Sequence, residues 1–320
     1  MKRYRPVLCA IVLLAMSVAA RAATWQAEQA TLVTASGTLY GTALIPAGQA
    51  SMPVVLMHAG SGPTDRDGNS KGMPGSNDSL KQLAEALARH GIASVRFDKR
   101  GIAASAAAGG AEAEMRLEHY IGDAADWVRQ LRKDKRFTRV VVAGHSEGSL
   151  IGMIAAHQAG ADGYVSIAGV AEPADRILSV QLRPRLPPAL FAESEAVLVS
   201  LKAGKPVPNP PAALAMLYRP SVQPYLISWF KYDPRKELAA LSIPVLIAQG
   251  GADIQVPAAQ AKLLAAAKPG AKLLVIGSMN HVLKTVGPTD AAQKEAYSKP
   301  DTPLSGELVD AISEFAKNLP

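Results

Sequence analysis

The sequence predicts an α/β fold built on a mainly parallel sheet, and two observations predict it. Short runs of β-branched and apolar residues alternate along the chain with segments of helical periodicity, which is typical of parallel strands joined by covering helices. In the stretch "VVVAGHSEGSLIGM", such a strand passes into such a helix through Ser146, which stands between two glycines. With 320 residues, the chain is long enough to bury the core of one large domain with an insertion.

Each predicted element follows from its local composition. Strands are expected where β-branched and apolar runs stand between turn formers, and helices where apolar residues recur every three or four positions. Ser36-Gly37 supplies a hairpin turn, and Gly91 ends the first helix. In chain order, the predicted elements are strands at 29–33, 39–45 and 54–58, a helix at 79–90, a strand at 92–97, a helix at 114–131, a strand at 139–144, a helix at 147–157, a strand at 164–168, a strand at 244–249, a helix at 258–267, a strand at 271–276 and a helix at 306–317.

Residues 172–241 interrupt this alternation. The segment is rich in proline ("RPRLPPALF", "KPVPNPPAAL") and contains no good candidate for a buried strand. A disordered linker is the alternative, but the many Leu, Trp, Tyr and Phe residues argue against it. We therefore predict a lid or cap insertion that packs over the carboxyl edge of the sheet and shapes the substrate pocket, between two core parts at 23–171 and 242–320.

The N-terminus has the composition of a secretory signal peptide. Three basic residues fall within the first five positions, residues 6–20 carry no charge, and Ala20-Arg21-Ala22 fits a small-x-small cleavage site. Fifteen uncharged residues are too few to span a bilayer comfortably, which favours a cleaved signal over a retained anchor. The sequence thus predicts a signal peptide at residues 1–22 and a mature protein that is periplasmic or secreted, without stable membrane insertion.

Removal of that segment changes the charge and the thiol content of the chain. The net charge falls from +7 to +3, because four basic residues and no acidic ones are lost. The chain has no basic stripe interleaved with aromatic residues, so no nucleic-acid partner is expected. The single cysteine, Cys9, also lies in the segment, which excludes disulfides, a cysteine nucleophile and a thiolate metal site from the mature chain.

Ser146 is the candidate nucleophile. It lies in G-H-S-E-G, which matches the G-x-S-x-G pattern of a tight strand-to-helix turn that exposes a serine hydroxyl. The glycines are needed because side chains there would clash with the adjacent strand and helix. A helix-capping serine is the structural alternative. The same turn places the backbone N–H of Glu147 at a helix N-terminus, where it can stabilise an oxyanion.

A serine nucleophile needs a base, and the order of the chain selects it. In the order Ser…Asp…His the base follows both other members, and only His281, in "GSMNHVLK", comes after the late strands. Asp253, four residues past the preceding strand, is the candidate acid that would orient the imidazole. Its rivals are Asp233, which precedes that strand, and Asp290, which follows the histidine. His58 and His145 are interpreted as structural, with the His145 side chain pointing away from the nucleophile.

The segment "HAGSGPTDRDGN", residues 58–69, follows the first parallel strand and can supply a second oxyanion donor. The backbone N–H of Ser61 is our candidate, and Gly60 makes room for it. An ordinary turn is the alternative, because Gly, Pro, Asp and Asn are all turn formers. No pair of histidines has metal-ligand spacing, so neither a metal nor a cofactor is expected.

These motifs resemble the α/β-hydrolase superfamily, and within it the bacterial serine esterase-like and serine aminopeptidase-like group. The matching pieces are "AGSGPTDRDGN", "RFDKRGIAAS", "GHSEG", "YDPRKELAAL", "PVLIAQGGADIQVP" and "MNHVLK", and the resemblance spans about residues 31–319. It implies the α/β-hydrolase fold, with Ser146, Asp253 and His281 as the catalytic triad. It also implies that Asp98 and Arg100 tie loops together near the site. The sequence departs from the family at Ala59 and Ala103, where relatives often have glycine.

We therefore expect an exported serine hydrolase that cleaves a small-molecule carboxylic ester through an acyl-enzyme. A peptidase or amidase is the nearest alternative, because the same fold hosts both activities. A binding protein that has lost activity is another, and the complete set of three residues argues against it. In a third alternative, the apolar insertion docks the protein to a lipid or cell-wall surface.

Overall fold

The computed structural model describes residues 25–320, so the predicted signal peptide and Cys9 lie outside the described residues. Eight strands form one sheet in the order β1-β2-β4-β3-β5-β6-β7-β8. The first two strands pair as an antiparallel hairpin, β2 is antiparallel to β4, and the other pairs are parallel. The predicted, mainly parallel α/β sheet is therefore confirmed.

The observed bounds lie within about two residues of the predicted ones, except at the start of β1, which begins at Trp25 rather than at residue 29, and at the start of α2. The strands are β1 (Trp25–Thr34), β2 (Gly37–Pro46), β3 (Met52–His58), β4 (Ala93–Phe97), β5 (Phe137–His145), β6 (Gly163–Ile167), β7 (Val245–Gly250) and β8 (Lys272–Ile276). The α-helices are α1 (Ser79–Arg89), α2 (Leu117–Leu131), α3 (Glu147–Ala159), α4 (Ala174–Leu182), α5 (Pro188–Lys202), α6 (Ala215–Tyr218), α7 (Gln223–Trp229), α8 (Pro234–Ala239), α9 (Ala258–Ala267), α10 (Asp290–Ser298) and α11 (Gly306–Lys317).

Helices cover both faces of the sheet. One core cluster joins β3, β4 and β5 to α2, α3 and α9, and it includes the fully buried Trp127. The other joins β3, β6 and β7 to α1 and α11. Every residue of β4, β6 and β7 is buried, because a central parallel strand has no face turned to water. This packing fixes the carboxyl ends of the central strands at one edge of the sheet.

The segment 172–241 folds into five helices, α4 to α8, which have an apolar cluster of their own. Tyr218 and Phe230 are almost fully buried in it, and Ser194 and the Tyr218 hydroxyl lie 2.8 Å apart inside the cluster. The ring of Tyr225 also packs against the main core. Some of its prolines begin helices rather than break them, as Pro188 does at the first position of α5 and Pro234 at that of α8.

Helices α2 and α10 differ from the sequence-based expectation. Helix α2 begins at Leu117 rather than at Glu114, because Met115 and Arg116 are in extended conformation. Helix α10 was not predicted at all. Of its residues, "DAAQKEAYS", Ala296 alone is buried. The helix therefore lacks the apolar stripe by which a surface helix is recognised from sequence.

Candidate active site

Ser146 occupies a tight turn between β5 and α3. Its backbone angles, φ 56° and ψ −121°, lie in a region that L-residues rarely adopt. Its N–H donates to the carbonyl of Ile167 on the neighbouring strand β6 at 2.9 Å, and its own carbonyl accepts from Ser149 at 2.9 Å. These bonds from strand and helix hold the strained residue in place, as expected of a nucleophile elbow.

The flanking glycines are required by the close approach of backbone. A Cβ added to Gly144 would lie 2.1 Å from the carbonyl oxygen of Gly148. A Cβ added to Gly148 would lie 2.5 Å from the carbonyl oxygens of both His58 and Ala59. The G-x-S-x-G pattern is therefore a steric requirement of the turn, and it brings the end of β3 against the start of α3.

His281 and Asp253 form a buried pair at the ends of β8 and β7. Nδ1 of His281 lies 2.8 Å from Oδ2 of Asp253, and both side chains are almost fully excluded from water. Because a carboxylate can only accept, Nδ1 carries the ring proton and Nε2 of neutral His281 is left as an acceptor. This is the tautomer that a base for a serine hydroxyl needs.

The hydrogen bonds around Asp253 keep its carboxylate ionised. Burial alone would raise the pKa of Asp253, but the bond and charge of His281 and the N–H groups of Val256 and Gln255 outweigh burial, and the pKa lies below its usual value. The amide nitrogen of Gln249 donates to Oδ2 at 3.0 Å, so this buried glutamine is a further support that the sequence did not indicate. The carboxylate therefore has a fixed orientation toward His281.

Ser146 and His281 line the same cavity, which has a volume of about 350 Å³. Its walls come from the loop 60–77, from Gln255 and Val282, and from Tyr297 on α10. The hydroxyl of Tyr297 accepts from Gln255 Nε2 at 2.8 Å, and burial is the main reason why its pKa is raised to about 12. Tyr297 was missed because its helix was missed.

The insertion lines a second cavity rather than this one. That cavity has a volume of about 360 Å³ and shares Pro63 with the first. Val222 and Tyr225 of the insertion contribute to its wall, together with Lys99 and Glu147 of the core. Loop 60–77 and α10 enclose the cavity that Ser146 lines, and the expectation that the insertion shapes the substrate pocket stays a prediction.

The prediction that the His145 side chain points away from the site was wrong. Its ring lies against the ring of His281, with 4.8 Å between the centroids, and its Nε2 donates to the His281 carbonyl at 2.8 Å. Burial, with the nearby His281, lowers the pKa of His145 to about 3, so it is neutral. His145 therefore supports the loop that carries the candidate base.

The candidate oxyanion donors lie on either side of Ser146. Ser61 and Gly60 line the cavity beside it, and a Cβ on Gly60 would come within 3.2 Å of the Ser146 Cβ. Glu147 begins α3. Within residues 25–320, the N–H groups of Ser61 and Glu147 donate to no other group of the protein, so both remain free for an oxyanion.

Asp98 and Arg100 hold loops next to the site. Asp98 accepts from the backbone N–H and the guanidinium of Arg66, and from the N–H of Ala104 at 3.1 Å. Arg100 forms a nearly buried ion pair with Asp123 on α2. These contacts agree with the loop-tying role that the resemblance implied. Ala103, where relatives often have glycine, has a φ of 43°, the conformation that glycine adopts without strain.

The remaining histidines take no part in the cavity. His58 is buried beneath the site at the end of β3, and burial, with the charge of Lys99, lowers its pKa to about 3. His90, His119 and His157 belong to the ends of α1, α2 and α3. Over the described range 25–320, no group of three His, Cys, Asp or Glu side chains is arranged to hold a metal ion. None of the helices in this range is long and apolar enough to cross a bilayer.

Comparisons with known proteins found one matching family and one similar esterase. The family described as "Serine aminopeptidase, S33" matches residues 70–211, which include Ser146 but neither Asp253 nor His281. Esterase EstD from Thermotoga maritima is 30% identical over 254 residues, 78% of this chain, and the match spans 59% of that protein's length. The chain is thus similar in sequence to an esterase and to the serine aminopeptidase family, and its sheet and nucleophile turn are those of the α/β-hydrolase fold.

Two solved structures share the fold of this chain. Est1E from Butyrivibrio proteoclasticus superposes with a TM-score of 0.58 at 14% identity, covering 91% of this chain and 98% of that one. The α/β-hydrolase GrgF from Penicillium sp. sh18 gives a TM-score of 0.60 at 17% identity, covering 92% and 99%. At these identities the likeness shows the fold alone.

Proposed function

We propose that this α/β-hydrolase cleaves small carboxylic esters through an acyl-enzyme on Ser146. The observation that carries the proposal is the shared cavity, which the strained serine and the Asp253-bound His281 both line at one edge of the sheet. In open α/β sheets, that edge is where ligands bind. The relative named an esterase adds support for the ester class.

In the proposed reaction, Nε2 of His281 takes the proton of the Ser146 hydroxyl as its oxygen attacks the ester carbonyl. The negative charge that develops on the carbonyl oxygen is held by the N–H groups of Glu147 and Ser61. Asp253 stabilises the imidazolium that forms, and the imidazolium then protonates the departing alcohol. Water, deprotonated by His281 in turn, releases the acid and restores the serine. Apart from the ester and the water, the residues of this chain supply the groups in these steps.

Hydrolysis of a small peptide or amide is the second candidate, and one observation favours it. The family that matches residues 70–211 is described as serine aminopeptidase. The matched region includes the nucleophile turn and part of the insertion, but it covers less than half of the chain. The same groups serve both reactions, so the ester assignment depends on relative rates rather than on geometry.

We also propose that the protein acts outside the cytoplasm. The composition of residues 1–22 supports this location, since a basic start, an uncharged stretch and a small-residue site follow one another there. The mature chain then begins near Ala23, two residues before strand β1.

A substrate panel tests the proposed activity. Wild-type protein is given p-nitrophenyl esters of increasing acyl length beside aminoacyl p-nitroanilides, and kcat/KM is measured for each. We expect the esters of short acyl chains to be the best substrates, because the cavity of about 350 Å³ is small. A kcat/KM that is higher for an anilide than for every ester would assign the protein to the peptidases instead. Activity that persists in Ser146→Ala would contradict both assignments.

A further inference from the structure

Lys99 is a buried cation directly behind the loop that carries Ser61. It follows β4 in the "RFDKRG" segment and is 1% exposed to water. Its Nζ donates to the carbonyl of Gly60 and, at 2.9 Å, to the carbonyl of Gly62. The Gly60 carbonyl belongs to the same peptide unit as the Ser61 N–H, and the Gly62 carbonyl belongs to the Gly62–Pro63 peptide. One ammonium group therefore holds the peptide that carries the candidate oxyanion donor and a second peptide two residues further along the loop.

Packing alone does not explain why a lysine stands at position 99. Burying an ammonium group is unfavourable unless it is hydrogen-bonded or paired, and burial accordingly lowers the pKa of Lys99. Its neighbours are the ring of Tyr120, whose centroid is 5.6 Å from Nζ, and the carboxylate of Glu147, whose charge counteracts the effect of burial. An apolar side chain would fill this site without the desolvation cost.

The carboxylate that offsets the charge of Lys99 belongs to Glu147, whose backbone N–H is the other candidate oxyanion donor. Glu147 is 5% exposed, and its Oε1 accepts from the Tyr225 hydroxyl of the insertion at 2.6 Å. The charge of Lys99 favours the ionised form of Glu147, although burial, the larger effect, raises the pKa of that carboxyl. The backbone on both sides of the oxyanion site is thus tied to one buried polar cluster of Lys99, Glu147 and Tyr225.

From this geometry we propose that Lys99 is a positioning residue, which holds the Gly60–Gly62 turn so that the Ser61 N–H points at the oxyanion. The inference rests on the proposed function for its catalytic consequence, but not for its effect on the loop. A backbone donor displaced by about 1 Å loses much of its value in the transition state, while substrate binding in the ground state changes little. Lys99 itself contacts no reacting atom.

The test compares Lys99→Met with wild type in two measurements. In ester hydrolysis, kcat is expected to fall by ~10- to 100-fold with KM within about twofold, less than the loss on deleting an oxyanion donor outright. In hydrogen exchange followed by mass spectrometry, peptides that cover residues 58–64 are expected to exchange faster. Lys99→Gln, which keeps a hydrogen-bond donor without the charge, serves as a second variant in case the methionine protein does not fold.

Lys268→Met is the matched control. Lys268 also donates its Nζ to a backbone carbonyl, that of Leu241, but it lies at the end of α9 and lines neither cavity. This variant should keep the wild-type kcat and the wild-type exchange of residues 58–64. Thermal unfolding midpoints of all variants separate a lower folded fraction from a lower kcat.

The outcomes are distinct. Wild-type kcat in folded Lys99→Met and Lys99→Gln would overturn the inference, as would a lower kcat with unchanged exchange of residues 58–64. If the wild-type protein hydrolysed no ester at all, the proposed function would fail. The hydrogen-exchange measurement would still test the positioning role of Lys99. Faster exchange in the Lys99 variants but not in Lys268→Met then supports the positioning role, and equal exchange refutes it.

Discussion

Asp253→Asn tests the arrangement of the candidate triad because the structure dictates how the new amide must lie. Oδ1 of Asp253 accepts two backbone N–H groups, from Gln255 at 2.8 Å and Val256 at 2.9 Å. In the variant, the oxygen of the new amide has to take that position, so its NH₂ group faces Nδ1 of His281. Two donors cannot bond each other, and the imidazole is driven to the tautomer that carries its proton on Nε2.

In that tautomer His281 cannot accept the proton of Ser146, and the imidazolium also lacks its counter-charge. A loss of about 10³- to 10⁴-fold in kcat is expected, which corresponds to about 4 to 5.5 kcal/mol of transition-state stabilisation. KM should change little, since Asp253 does not line the cavity that holds Ser146. Initial rates on the best p-nitrophenyl ester, with active-site titration, measure both constants.

Two other aspartates provide the controls. Asp233 caps α8 by accepting from the N–H of Arg235, a role that asparagine performs as well, and Asp290 begins α10. Asp233→Asn and Asp290→Asn should both stay near the wild-type kcat. Activity of Asp253→Asn within a few-fold of wild type, with a collapse in either control, would refute the assignment of the acid.

Three further predictions concern stability and processing. Gly148→Ala should lower the free energy of unfolding by about 1 to 3 kcal/mol or abolish folding, because its Cβ would meet two carbonyl oxygens at 2.5 Å. Gly122→Ala in α2, where a Cβ meets nothing within 4 Å, should raise the free energy of unfolding by ~0.5 to 1 kcal/mol. Urea unfolding compares the two variants, and equal effects would contradict the steric account. His58 has a pKa of about 3 in the folded protein against 6.5 in the unfolded chain, so its contribution to stability is complete above pH 6.5 and is lost at about 1.4 kcal/mol per pH unit as the pH falls toward 3. His58→Asn should lower the slope of the free energy of unfolding against pH by that amount. An unchanged slope would refute this contribution of His58. Protein recovered from the exported fraction should have the intact mass of a chain that begins near Ala23, and a mass that retains residues 1–22 would contradict the signal peptide.

Much of the fold was predictable because its signals are local. Buried parallel strands are continuous apolar runs in the sequence. The turn at Ser146 is indicated by two glycines, which the close backbone contacts require. The candidate acid and base followed from chain order, which the sheet converts into proximity at one edge. These inferences needed only the sequence of strands, and the observed order of the sheet agrees with them.

The supports of the site were not predictable, since they depend on contacts between distant residues. Lys99 and Gly60 are 39 positions apart, and nothing in a lysine followed by an arginine indicates burial. Tyr297 reaches the cavity from a helix that shows no apolar stripe. The position of His145 was misjudged for a related reason, because its partner is the backbone carbonyl of His281, 136 residues later, and a backbone atom leaves no signature in the sequence.

The central claim is that Ser146 is the nucleophile, and covalent labelling tests it most directly. Wild-type protein is incubated with a fluorophosphonate, digested, and searched by mass spectrometry for the modified peptide. The account predicts one phosphonate per chain, on Ser146, with ester hydrolysis lost in step with labelling and no label on Ser146→Ala. A label on any other residue that inactivates the enzyme, or full labelling of Ser146→Ala, would contradict it.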